Sequence, residues 1–104
     1  MKYDITQLKR NRILDVVLNY TNIPKEEFFG LRNKKKYASI RNVCIVLMHR
    51  SGVHCGDIAD SLGMTIQNVY YQIRTANKWK EFETELFDIL LKEIKNEKSE
   101  LSLY

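Results

Sequence analysis

Along most of this chain apolar residues return at steps of three and four, the period of helices that each lay one face on a core. The clearest case is 55–78, which reads CGDIADSLGMTIQNVYYQIRTANK. Ile58, Ala59 and Leu62 keep the period, Gly63 interrupts it, and Val69, Ile73 and Ala76 resume it, so two short helices are predicted to meet at a tight turn. That is the layout of a helix-turn-helix. The small side chain of Ala59 lets the helices approach, and Gly63 can take the positive φ that such a turn requires. Thr65 stands where an N-cap would satisfy a free amide of the second helix. With Val69 as zero, Ile66, Ile73 and Ala76 fall within about 60° of it and form the inward face. Gln67, Tyr71, Arg74 and Lys78 then lie opposite, flanked by Met64, Asn68 and Thr75.

The remaining periodic stretches supply a setting for this pair. From Ile5 to about Tyr20, Leu8, Ile13, Val16, Val17 and Tyr20 predict an amphipathic first helix that ends near Asn22. Pro24 suits the first turn of a short second helix, in which Glu26 and Glu27 complement the dipole and Phe28 and Phe29 offer apolar bulk. Tyr37 to about Arg50 carries Ile40, Val43, Cys44, Ile45, Val46, Leu47 and Met48, a face wide enough for the central helix of the core. After Trp79, the residues Phe82, Leu86, Ile89, Leu90 and Ile94 predict a last amphipathic helix at about 80–98, and the final SELSLY is expected to fray.

Composition narrows the class. At 104 residues with 44% hydrophobic content, four Gly and one Pro, the chain is expected to be one packed domain, 1–104, of mostly helical structure. There is no apolar run of membrane-spanning length and no apolar signal core at the start, so a cytoplasmic protein is expected. The net charge of +4 is unevenly spread: residues 1–80 sum to +8 and residues 81–104 to −4. A basic binding surface with an acidic helix turned away from it would produce that split.

Part of the positive charge is concentrated in Arg32, Lys34, Lys35 and Lys36, with Arg41 close by. Such a cluster cannot be buried together and is too dense to be balanced locally. A solvated loop would have the same composition, but the neighbouring two-helix motif favours contact with phosphates or a minor groove. The outward set of the second motif helix is chemically suited to reading bases. Gln and Asn pair with adenine, Arg pairs with guanine, and Tyr stacks or reaches phosphates. An ordinary solvated helix face is the competing reading.

Other chemistries find little purchase. Cys44, His49, His54 and Cys55 lack the CxxC or HxxxH spacing of a zinc site, and Cys44 belongs to a core face. No Gly-rich phosphate loop, nucleophile elbow or catalytic carboxylate pair is present, so neither an enzyme nor a cofactor is expected.

The order of these features resembles the C-terminal DNA-binding domain (domain IV) of the bacterial chromosomal replication initiator DnaA, of the Trp-repressor-like helix-turn-helix class. The resemblance runs from Ile13 to about Trp79. It is carried by Val16, Val17 and Tyr20, by the turn and basic loop from Phe28 to Lys36, by Arg41 and the apolar helix to Arg50, and by GDIADSLG with Val69. It implies that Arg32 and Lys34, with Lys35 and Lys36 beside them, enter a minor groove and that Arg41 corresponds to the family's helix arginine. The family's recognition helix opens with an acidic-His-Thr-Thr signature before a valine. Here those places hold Thr65, Ile66, Gln67 and Asn68, and the turn is one residue shorter. The docking mode is therefore expected to be shared and the target sequence to differ. The family's AAA+ ATPase portion has no counterpart in these residues, so ATP-driven DNA melting is not expected.

The combined expectation is an all-α domain of five to six helices that contains a DnaA-like helix-turn-helix and prefers particular double-stranded DNA sequences. The base-reading candidates are Met64, Thr65, Gln67, Asn68, Tyr71 and Arg74. The backbone or minor-groove candidates are Arg32, Lys34, Lys35, Lys36, Arg41 and Lys78. Expected partners are double-stranded DNA and, beyond it, a second copy or another replication or regulatory protein, with no metal, membrane or small-molecule substrate. The processes that fit are replication initiation or its regulation, transcription regulation, and phage or mobile-element biology. Protein interaction through Tyr70 and Tyr71, and RNA binding, are the readings from other classes.

Overall fold

A computed structural model describes the backbone of residues 5–30 and 36–102 and the side chains of 8–30 and 36–95. Among the described residues it contains six α-helices, a short 3₁₀ turn and no strand. The helices are α1 (Ile5–Thr21), α2 (Lys25–Phe28), α3 (Ala38–Arg50), α4 (Cys55–Leu62), α5 (Ile66–Arg74) and α6 (Glu81–Ser102). The all-α class and the helix number agree with the sequence pattern.

α3 is the hub, packed against α1, α4, α5 and α6. That position explains its composition: Val43, Cys44, Ile45, Val46, Leu47 and Met48 are all buried, because a helix covered on several sides needs apolar residues around most of its girth. Around it, α1 contributes Ile13, Leu14, Val16, Val17 and Leu18, and α6 contributes Leu86, Phe87, Leu90 and Ile94. No charged or polar residue is buried among the described residues.

Several helix faces are rotated relative to expectation. Leu8 and Tyr20 of α1 are 55% and 49% exposed, while Leu14 and Leu18 take buried places. Leu8 lies nine residues before the fully buried Val17, or about 180° around the helix, so it cannot share that face. On α6, Phe82 and Ile89 are 57% and 39% exposed and Phe87 is buried instead. The stripe there is centred on Leu90, from which Phe82 and Ile89 stand off by about 80–100°. Phe29 is likewise exposed beside a fully buried Phe28. α6 also continues to Ser102, through most of the terminal run expected to fray.

Helix ends follow local chemistry. α1 stops at Thr21, and Asn22 takes φ 57°, letting the Ile23 amide bond back to the Leu18 carbonyl at 3.1 Å. α4 stops in the same manner: Gly63 has φ 64°, and the Met64 amide donates to the Ala59 carbonyl at 3.0 Å. Met64 then packs partly against the core, the apolar contact that accompanies this type of helix end.

Candidate nucleic-acid interface

Between α4 and α5 only Gly63, Met64 and Thr65 intervene, and the two helices pack directly on each other. Ile58, Ala59 and Leu62 of α4 and Val69 of α5 are buried, so both helices are fixed to α3 from their inner sides. The Thr65 hydroxyl accepts from the Asn68 amide at 3.2 Å, the N-cap bond that its position in the sequence predicts.

Opposite Val69, α5 turns Gln67, Tyr71 and Arg74 to solvent, with Asn68 and Tyr70 exposed on the two flanks. The Gln72 side chain donates to Asn68 Oδ1 at 3.5 Å, steadying one of these groups from the next turn. Met64, the remaining base-reading candidate, is half-buried and serves the helix end. Ile66, expected inward, is 39% exposed because it sits in the first turn at the margin of the buried face.

α5 is shorter than expected. The Thr75 amide and hydroxyl both bond to the Tyr71 carbonyl, at 3.0 and 2.8 Å. The chain then tightens into the 3₁₀ turn Ala76–Lys78, with the Lys78 amide on the Thr75 carbonyl at 2.9 Å. Lys78 is exposed but stands on this turn, off the axis of α5, and Ala76 packs from the turn as well.

Of the basic group, Arg32, Lys34 and Lys35 lie outside the described residues. Lys36 is exposed and meets Glu27 at 3.4 Å, with its ammonium 5.2 Å over the Tyr37 ring. The carboxylate that meets Lys36 comes from α2, nine residues back. Tyr37 first, then Lys36, holds the Glu27 carboxyl below its ordinary range, and Tyr37 and Glu27 raise Lys36. Arg41 donates to the Phe28 carbonyl at 3.4 Å and lies 5.5 Å over the Phe28 ring. Its partial burial lowers its pKa through desolvation, and its described contacts tie α2 to α3.

One cluster carries no signal in the sequence. Arg50, Arg74, Asn77, Trp79, Phe87 and Asp88 line a groove of about 530 Å³ where α3, α5, the 3₁₀ turn and α6 meet. The first and last of these residues are 38 positions apart in the chain, and no spacing rule joins them.

The cysteines are free, Cys44 buried and Cys55 half-buried, and among the described residues no group of three His, Cys, Asp or Glu could hold a metal. Among the described residues, no helix is long and apolar enough to cross a membrane. Comparison with family models, curated proteins and solved structures finds no match to this chain, so the likeness to the initiator domain rests on the residues quoted for it.

Proposed function

We propose that this chain binds double-stranded DNA, with α4, the Gly63 turn and α5 acting as a helix-turn-helix and α5 entering the major groove. The observation that carries the reading is the face of α5 opposite Val69. It exposes Gln67, Tyr71 and Arg74 together, with Asn68 exposed at its flank, on a helix capped by Thr65 and seated on the core. These are donors and acceptors suited to base edges, displayed on an element of the size a major groove admits. The +8 charge of residues 1–80 supports an anionic partner, and the initiator-like order of motifs supports replication initiation or its regulation as the process. Transcriptional or mobile-element roles would use the same face.

Titration of labelled random-sequence duplex at low ionic strength tests the reading. Binding should weaken steeply with added salt, and selection from random duplexes should recover a motif. A protein that retains no duplex at any salt concentration is not a DNA binder.

A second reading draws on Tyr70 and Tyr71, which are 50% and 54% exposed side by side: α5 would then meet a protein partner or a second copy. Sedimentation of the free chain separates the two, since a dimer that hides Tyr71 blocks major-groove entry by that face.

A further inference from the structure

We propose that the groove shared by Arg50 and Arg74 is a phosphate site that holds a phosphodiester of the DNA backbone beside α5, an inference that rests on the DNA-binding reading above. Arg50 closes α3, and its guanidinium lies 5.0 Å over the Phe87 ring. Phe87 is held in turn by Trp79, with ring centroids 5.6 Å apart. A guanidinium seated on an aromatic ring keeps its N–H donors in its own plane, free to grip an anion, and it is already partly ordered for doing so. Arg74 brings a second guanidinium to the same groove, and Asn77 a neutral amide. Asp88 lines the groove too, yet neither arginine makes an ion pair with a carboxylate among the described residues.

Two arginines line this groove against the one carboxylate of Asp88, with which neither is ion-paired, so its lining carries a net positive charge, and the non-bridging oxygens of a phosphodiester suit the fork of a guanidinium. Free phosphate compounds present similar oxygens. The backbone is favoured because Arg74 also belongs to the exposed face of α5, so an anion held here continues the surface assigned to DNA. Arg50 and Asn77 thereby become backbone contacts from outside the two-helix motif.

The test uses the full chain and four variants: Arg50→Gln, Arg50→Lys, Asn77→Asp and, as a control on α6, Lys92→Gln. Removing one phosphate contact should lower the slope of log K against log salt by about 0.9 and weaken binding about eightfold at 0.1 M salt. Arg50→Gln should show this loss equally for all duplex sequences, and Arg50→Lys should restore the slope. Asn77→Asp, which leaves the Phe87 stack untouched, should weaken binding by adding a second carboxylate to the groove beside that of Asp88. Lys92→Gln should bind as the parent does. Trp79 is the single tryptophan, so its emission reports on the groove and should shift when duplex is added.

Arg50→Gln and Asn77→Asp variants that bind duplex with unchanged affinity and slope overturn the phosphate site while leaving the DNA reading standing. A parent protein that binds no duplex overturns both. If pyrophosphate then shifts Trp79 emission in an Arg50-dependent manner, the groove serves a free phosphate compound and its assignment to the DNA backbone is wrong.

Discussion

Arg41 reaches from the first turn of α3 to the Phe28 carbonyl at 3.4 Å and covers the ring of that same residue at 5.5 Å. The short helix α2 has four residues and no side-chain cap, so it has little stability of its own. Its hold on the domain comes from the buried Phe28 ring and from this cation, which satisfies a carbonyl at the helix end while resting on the aromatic face. An arginine that the initiator resemblance assigns to DNA thus fastens α2 to α3.

Replacing Arg41 with Met keeps the aliphatic stem and removes both contacts. The hydrogen bond is long and the site only partly buried, so a loss of about 1–2 kcal/mol of unfolding free energy is expected. Urea denaturation should show a lower midpoint at unchanged m-value. An unaltered midpoint would mean that Arg41 contributes nothing to the hold on α2.

Thr65→Ala removes the acceptor that caps α5 and should cost about 1 kcal/mol, whereas Thr65→Ser should restore nearly all of it. If the cap also fixes the entry angle of α5, duplex affinity will fall alongside stability in the Ala variant and recover in the Ser variant. Calorimetric melting and duplex titration on the same preparations check the two effects together.

At Gly63 the limit is conformation and not space. No atom stands within 4 Å of where a Cβ would be, but φ is 64°. Gly63→Ala should therefore destabilise by about 1–2 kcal/mol through backbone strain alone, and Gly63→Asn by less. A Gly63→Ala variant as stable as the parent in chemical denaturation would show that the turn can rearrange.

The features that local chemistry dictates were legible in the sequence: the Thr65 cap, the Gly63 turn, the end of α1 near Asn22 and the breadth of the α3 apolar face. Features set by what packs alongside were not. The phase of a buried stripe depends on neighbouring helices, so Leu8, Tyr20, Phe82 and Ile89 fit a helical period yet point outward. The end of α5 at Arg74 turns on a Thr75 hydroxyl that chooses the Tyr71 carbonyl over solvent, a choice that composition does not reveal. Arg50 looked like the last residue of a core helix, and only the approach of Phe87 from α6 places it in a groove with Arg74.

Burial pushes the Cys44 thiol up to about 12, against an ordinary value of 9.0, with Arg41 offsetting only part of the effect. Between these two values the unfolded chain gives up this proton and the native chain keeps it, so stability should fall as pH rises, by about 1.4 kcal/mol per pH unit for this group. Cys44→Ala should lack that component, and the difference between parent and variant unfolding curves from pH 8 to pH 10.5 isolates it from lysine titration. A thiol reagent at pH 8 should label the half-buried Cys55 promptly and Cys44 only at the rate of opening. Equal rates at the two thiols would contradict the packing of α3.

The proposed division of labour between reading bases and holding phosphates can be measured on α5 and the turn that follows it. Gln67 and Lys78 are both exposed, but Gln67 belongs to the outer face of α5 and Lys78 to the 3₁₀ turn beyond its end. A base contact made by a neutral amide carries sequence information and releases few counterions, whereas an ammonium on a phosphate does the reverse. Gln67→Ala should therefore erode the preference for a selected site over a scrambled one by about 1–3 kcal/mol while leaving the salt slope alone. Lys78→Ala should weaken both duplexes alike and lower the slope by about 1. Arg74, which belongs both to the α5 face and to the Arg50 groove, should show both losses when changed to Ala. The checking measurement is competition between selected and scrambled duplexes at several salt concentrations. If Gln67→Ala instead lowers the slope and spares the preference, α5 lies along the backbone and does not enter the groove.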